Sequence, residues 1–556
     1  MAGAMFNLLD SRWILAVNKE GRSVELTLTE VFKSAHEIIE LSGELPAQDV
    51  AILRLLLGIL YAVFFRMNER GAPYDADEND PDQMCEFWER LWRLGQFPSE
   101  VIERYLYEYY DRFWLVHPEK PFWQVTFDKK NMPKNKDGIS ITPYQNKTPM
   151  LIGDIAEGGN KVRLFQSRIG VSKNAISFSE ATRWLIYLNA FDVSPLGNPG
   201  KNPKKINGFG QPWPAGIGMT WVSGDTLFQT LLLNLALEYK DDSGLAWWET
   251  EMPCRTAEDL ERRRVAAPNG LIPLMSMQYR YTRLQVEGDR VTGFDLWSGV
   301  NLDIDFLEIE KMTPWVNEDN KVVPKKHSAT KQLWRDFAAF MPHYGNPPGV
   351  IKWVSDIKDR ARVELPAVRI NIVGILYKQN TKAIDIFSDA LAINSELLSK
   401  LNEGWVTRIT NTLETTDKLV GCVGTLAGDL AKAVGASDSS VPERRKLGKI
   451  RSAAREEAYF RLDTPFRDWL AKLDPGQNSP GEASLYLENE LIAWTDIVKG
   501  IILALGEEMV NNAGTRAYVG KELNSDMWMT APGAYNKFIR LVIWILYRGS
   551  KKSEVV

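Results

Sequence analysis

The sequence predicts an α+β fold, with a large mixed N-terminal domain over residues 5–394 followed by a C-terminal four-helix bundle over 395–556. Three observations predict it. Residues 368–377 (VRINIVGILY) and 376–394 (LYKQNTKAIDIFSDALAIN) carry β-rich, alternating runs, with the period of two expected of half-buried strands. After Asn394 the pattern changes to four stretches with apolar residues at three-to-four spacing, broken by glycine, proline or serine: 395–436, 441–473, 481–513 and 532–548. A chain of 556 residues is also too long for one core.

Composition narrows the function classes. The chain is 44% hydrophobic and 25% charged, as in ordinary globular proteins, and its net charge of −5 argues against binding a polyanion by bulk charge. Contacts to nucleic acid would have to use local basic patches. Nineteen tryptophans promise large aromatic cores. The three cysteines, Cys85, Cys254 and Cys422, lie far apart without a CxxC, so neither a zinc ribbon nor a disulfide framework is expected, and a cytoplasmic setting fits. The apolar runs at 52–65 and 541–547 read as buried helix, too short to cross a bilayer. The natural start is expected at Met5.

Taken in order, residues 6–17 (FNLLDSRWILAV) read as a strand entering a core. A helix over 28–41 is expected, capped by Thr29, then an apolar helix over 49–67. The acidic stretch 75–82 (DADENDPD) lacks the glycine and terminal glutamate of a calcium loop and reads as solvated. Helices follow at 82–94 and 99–113. In FWLVHPEKPFWQ (113–124), His117 reads as part of a proline-set turn that buries Phe122 and Trp123. Residues 126–161 and 164–176 are polar and read as loop. A helix over 179–191, with Ser179 as cap, leads to the glycine-rich 192–218, which matches neither a Walker loop nor a dinucleotide fingerprint. A helix over 224–239 (capped by Asp225 or Thr226), strands at 278–284 and 290–297, and a polar loop at 316–327 complete the domain up to the paired runs at 368–394.

Between those runs lies a polar tip, residues 378–382 (KQNTK), whose amides, hydroxyl and ammonium groups suit base edges and phosphates. By residue type alone it also reads as an ordinary solvated turn. In the bundle, residues 441–461 carry Arg444, Arg445, Lys446, Lys449, Arg451, Arg455 and Arg461 against Glu443, Glu456 and Glu457. A solvated face and a phosphate-tracking ridge both remain open.

FNLLDSRWI near the N-terminus, the FWLVHPEKPFWQ turn, GDTLFQTLLLNL, KMTPW and a C-terminal bundle, in that order, resemble the CasA family, the large subunit of the type I-E CRISPR Cascade complex. The resemblance spans nearly the whole chain. It implies a non-enzymatic subunit of a guide-RNA surveillance complex. Such a subunit recognises the motif beside the protospacer (the PAM) in duplex DNA, helps to open the duplex, and presents the complex to the Cas helicase–nuclease. The implied partners are the other Cascade subunits with their crRNA, double-stranded target DNA and that nuclease. The resemblance places the PAM-reading wedge at Asn380, Thr381 and Lys382, with Gln379 as an offset alternative. It places the glycine loop along the minor groove at Gly208, Phe209, Gly210 and Gln211, and a lysine contact at Lys321, with Lys325 as the alternative. Phe165 and Gln166 begin the loop that docks on the guide-RNA end. The bundle residues Arg444, Arg445, Lys449, Arg451 and Arg455 would hold duplex or the displaced strand. No cofactor and no metal are expected, since the cysteine cluster of some relatives is missing here.

The minor groove offers a degenerate code, so glycine backbone, an amide and a lysine suit a reader there better than arginine–guanine pairs. Two rival classes are weighed. A metal-dependent nuclease or hydrolase needs a carboxylate cluster or a nucleophile–base pair, and the four histidines (His36, His117, His327, His343) are dispersed. A purely architectural subunit would make no DNA contact at all.

Overall fold

Thr27 shows how local chemistry begins the fold. Its hydroxyl accepts from the Glu30 amide while Glu30 returns a bond to the Thr27 amide, a capping box that starts the helix Leu28–Ser34. Thr29, the expected cap, lies inside the helix and donates to the Leu9 carbonyl instead. The helix does not run to 41. The β-branched Ile38 and Ile39 belong to a strand, Ile38–Leu41, which adds to one edge of Ile14–Asn18 while Ser23–Leu26 pairs on the other. Only the end of the expected 6–17 strand is extended; residues 7–11 turn around Asn7, whose carboxamide oxygen and carbonyl accept from Leu9, Asp10 and Ser11.

The computed structural model describes the chain except for residues 1–5, 74–79, 128–131, 157–167, 193–209, 239–243, 252–255, 262–263, 266–267, 303–308, 362, 366, 379–381, 477–479, 525–526 and 554–556. It divides into two compact units, residues 1–333 with 339–390, and residues 334–338 with 391–556. The mixed α+β architecture and the C-terminal helical bundle are both present.

The first unit is built around Pro46–Phe64, a helix buried at every position except Pro46 and Asp49. Contrary to the sequence expectation, this helix is long and apolar enough to cross a membrane; its apolar stretch is covered by the surrounding fold. Helices Pro81–Leu94, Ser99–Glu108 and Phe178–Phe191 form close to where their periodicity predicts them. The cap of the last is Ser177, while Ser179 donates to Glu25. The helix expected over 224–239 is shorter, Leu227–Asn234, and its cap is Thr226. It stops because the Asn234 amide grips the backbone of Val222, accepting from its N–H at 2.9 Å and donating to its carbonyl at 2.6 Å. Tyr61 then takes the Asn234 carbonyl and receives the Ala236 N–H.

Two expected loops carry structure. Within 126–161, Tyr144–Lys147 joins a four-stranded sheet beside Arg290–Gly299, followed by a helical turn, Thr148–Leu151. Within 316–327, Trp315–Glu318 and Lys321–Pro324 form a short hairpin. Its turn residues Asp319 and Asn320 have φ of 48° and 62°, the left-handed pair of a two-residue I′ turn. The expected long hairpin is present as Val368–Lys378 and Lys382–Ile393, and Met219–Ser223 pairs antiparallel with its first strand.

The second unit holds four long helices, Glu403–Ala433, Val441–Leu470, Pro480–Asn511 and Ala531–Ser553. Residues 395–402, expected as helix, form two 3-10 turns first. The small hairpin Lys521–Asn524/Met527–Met529 is an addition to the bundle. Trp334 stacks on Phe466 at 4.7 Å and donates to Asp463, while Trp469 stacks on Trp494. These rings fill the bundle core, and Trp13, Trp88, Trp184, Trp248 and Trp297 are fully buried in the first unit, so core packing accounts for many of the tryptophans.

Where Val441–Leu470 crosses Glu403–Ala433, glycines make room for arginine stems. A methyl group at Gly424 would sit 2.9 Å from Cγ and 3.0 Å from Cδ of Arg455, and 3.1 Å from the Arg451 carbonyl oxygen. The side chain can move but the carbonyl cannot, so Gly424→Ala is expected to destabilise the bundle by about 1–3 kcal/mol. Denaturant unfolding checks this; an unchanged or raised midpoint would show that the helices separate at little cost.

Candidate nucleic-acid interface

Strand register decides which predicted residues meet. Met219 pairs with Val373 and Ser223 with Arg369, so the start of the short strand lies at the tip end of the long hairpin. The chain just before that strand is the helix Trp213–Ile217, preceded by Gly210 and Gln211. Gly218 has φ of 81°, and a side chain there would meet the His327 ring at 2.9 Å and the Val373 carbonyl oxygen at 3.3 Å. The sheet therefore brings Gly210 and Gln211 toward the end of the first unit that carries Lys382. Only the backbone of Lys382 is described.

Gly210 has φ of 71°, and a side chain there would run into Asn301, with its Cγ at 2.9 Å. Only glycine fits there without displacing the Asn301 carboxamide and straining the backbone. Gln211 is half-buried and its amide makes no hydrogen bond within the described protein, which leaves donor and acceptor for another surface.

A buried polar cluster lies under these residues. Arg280 is fully buried and donates Nε to Asp192 Oδ2 at 2.7 Å and Nη2 to the Gly210 carbonyl at 2.6 Å. Tyr377, one residue before Lys378, donates its hydroxyl to the Asp192 carbonyl at 2.6 Å. Burial, then the Asp192 charge, raises the Tyr377 pKa well above the usual tyrosine value, so this hydroxyl stays a donor. None of Asp192, Arg280 and Tyr377 was singled out from sequence. Two arginines, Arg280 and Arg283, in the alternating strand QYRYTRL were the available signal.

Lys321 is exposed and begins the second strand of the short hairpin, directly opposite Glu318. At the hairpin base Lys325 donates its N–H to the Pro314 carbonyl, and His327 lies 3.4 Å from the Thr220 hydroxyl. The base thus packs at the start of the Met219–Ser223 strand, and Lys321 stands about 10–13 Å farther along the hairpin than Lys325 at the usual strand rise. Gly208, Phe209, Asn380, Thr381 and the alternative Gln379 lie outside the described residues, as do Phe165 and Gln166.

In the bundle the basic helix divides. Arg451 and Arg455 lay their stems across Gly428 and Gly424, while Arg444 donates to the Asp438 carbonyl at 3.1 Å. Arg461 is held by Glu457 and Glu508, which raise its pKa. Arg445, Lys446 and Lys449 are exposed and form no ion pair among the described residues. They are the cations of this helix most open to phosphate, and the exposed heads of Arg444, Arg451 and Arg455 border them.

Candidate catalytic groups are poorly placed. Burial pushes the thiols of Cys85 and Cys422 up to about 11, which suppresses the thiolate. His117 accepts the backbone N–H groups of Glu119 and Lys120, the role of a turn residue. Among the described residues no group of three His, Cys, Asp or Glu could hold a metal ion.

Residues 7–505 match the family model for CRISPR-associated protein Cse1. The chain is 27% identical, over 534 residues, to the CRISPR-associated protein CasA/Cse1 of Thermus thermophilus, spanning 92% of this chain and 94% of that relative. It superposes on the crystal structure of Thermobifida fusca Cse1 with a TM-score of 0.79 at 28% identity, covering 98% of both chains. It also resembles a chain of a CRISPR RNA-guided surveillance complex, with a TM-score of 0.70, 17% identity and coverage of 98% and 99%, a likeness of fold alone.

Proposed function

Because the chain belongs to the Cse1 family of CRISPR-associated proteins, we propose that it is the large, non-catalytic subunit of a type I-E surveillance complex that reads the PAM in target duplex DNA. In this role it assembles with the other Cascade subunits and the guide crRNA, opens the first base pairs, and helps recruit the Cas helicase–nuclease. One observation carries the reading: hydrogen bonds through Arg280 and Asp192 tie Gly210, beside Gln211, to Tyr377 near the tip end of the long hairpin that bears Lys382. Glycine backbone, an unpaired amide and a lysine at one end of a sheet match what a degenerate minor groove can offer. Asn380, Thr381 and Lys382 then act at the opened base pairs, Gly208, Phe209, Gly210 and Gln211 along the groove, and Lys321 on the backbone. Phe165 and Gln166 serve the guide-RNA end, and Arg444, Arg445, Lys449, Arg451 and Arg455 a DNA backbone. Unstacking costs a few kcal/mol per step, which the inserted tip and these contacts offset.

The test is target-duplex binding by the reconstituted guide-RNA complex, with and without this chain, on DNA varied beside the protospacer. Binding is expected to require the chain and to vary with those bases. If affinity and preference are the same without it, the chain is architectural. Cleavage by the purified chain with a divalent metal would restore the nuclease reading.

A further inference from the structure

Two DNA-facing elements that move independently each bear their own ordering cost, whereas two held in one frame bear it once. The polar cluster beneath the candidate interface has the connectivity for such a frame. The glycine-rich stretch begins at Asp192, and Gly210 lies within it. Arg280 binds both residues with one guanidinium, through the Asp192 carboxylate and the Gly210 carbonyl. Asn189, three residues before Asp192, accepts the N–H groups of Tyr279 and Arg280 through its carboxamide oxygen, which keeps the guanidinium in place. Tyr377 then reaches the same Asp192 across 185 residues of sequence. It stands at the end of the strand leading to the hairpin tip.

We infer that Arg280, Asp192 and Tyr377 form a positioning link that fixes Asp192 and Gly210 against the end of the strand Val368–Lys378, so that Gln211 and Lys382 engage DNA as a unit. The inference rests on the DNA-reading role proposed above. The Tyr377 hydroxyl is its narrowest point, one hydrogen bond to the Asp192 carbonyl that can be removed without changing charge. Arg280 is its anchor, because a lysine there can keep an ion pair with Asp192 but has no fork to reach the Gly210 carbonyl as well.

The test is a double-mutant cycle on duplex binding by the reconstituted complex. Gln211→Ala and Lys382→Ala are measured singly and together, in the native chain, in Tyr377→Phe and in Arg280→Lys. In the native chain the double loss is expected to differ from the product of the single losses by about threefold or more. In Tyr377→Phe and in Arg280→Lys it should fall within about twofold of that product, the usual range for independent sites. Tyr61→Phe is the control. It removes a buried hydroxyl, bonded to Asn234 and Ala236, and should keep the coupling. Coupling that survives in both Tyr377→Phe and Arg280→Lys, or that is missing from the native chain, overturns the link while the DNA-reading role stands. If Gln211→Ala and Lys382→Ala each leave affinity unchanged, the DNA-reading role itself fails and the link falls with it.

Discussion

Glu310→Ala is expected to lower stability by about 3–5 kcal/mol, among the largest effects a single substitution can have here. Glu310 is fully buried and meets Arg54, also buried, through two bonds of 3.1 Å. Burial works against the Arg54 charge, and Glu310 more than offsets it, so the Arg54 pKa is raised. Without the carboxylate, that guanidinium stays charged in the core beside the Tyr279 side chain and the sulfurs of Met219 and Met312, none of them an anion. The Met312 N–H and the Trp213 indole N–H also lose their acceptor. Trp213 opens the helix that follows Gln211, so the damage reaches the candidate interface. Denaturant unfolding followed by tryptophan fluorescence measures it. Replacing both partners, Arg54→Met with Glu310→Met, should recover most of the loss, because an apolar pair leaves no unpaired charge. A loss below about 1 kcal/mol in Glu310→Ala would mean that water reaches Arg54.

Asn380→Ala combined with Lys382→Ala is expected to weaken binding of the preferred duplex by about 10- to 100-fold in the reconstituted complex. The two single variants should differ in kind. Lys382→Ala removes one cation, so binding should weaken on every sequence and the slope of log affinity against log salt should shrink by about 0.9. Asn380→Ala removes an amide that can read base edges, so its loss should depend on the bases beside the protospacer and leave the salt slope alone. Equal losses on all sequences for both variants would assign the tip to the backbone and move base reading elsewhere. No loss for either would support the architectural alternative.

Much of the architecture was legible because it rests on short-range pattern. The alternation over 368–394 placed the long hairpin to within a residue or two, and three-to-four spacing placed the four long helices. Where the pattern was ambiguous, pairing partners won. Ile38 and Ile39 fit a helical stripe as well as a strand, and the free edge of Ile14–Asn18 chose the strand. The polar stretch 316–327 hid a hairpin because its strands are short, although Asp319-Asn320 between valine-bearing segments is a turn signal.

The sequence by itself determined the class of fold, the family and the kinds of residue proposed to meet DNA. Only the tertiary structure decided which of them stand together. Arg280 reaches Gly210 across 70 residues, Tyr377 reaches Asp192 across 185, and Arg54 reaches Glu310 across 256. Periodicity and turn chemistry act over a few residues. Contacts at these separations depend on how strands pair and helices pack, which no local pattern encodes.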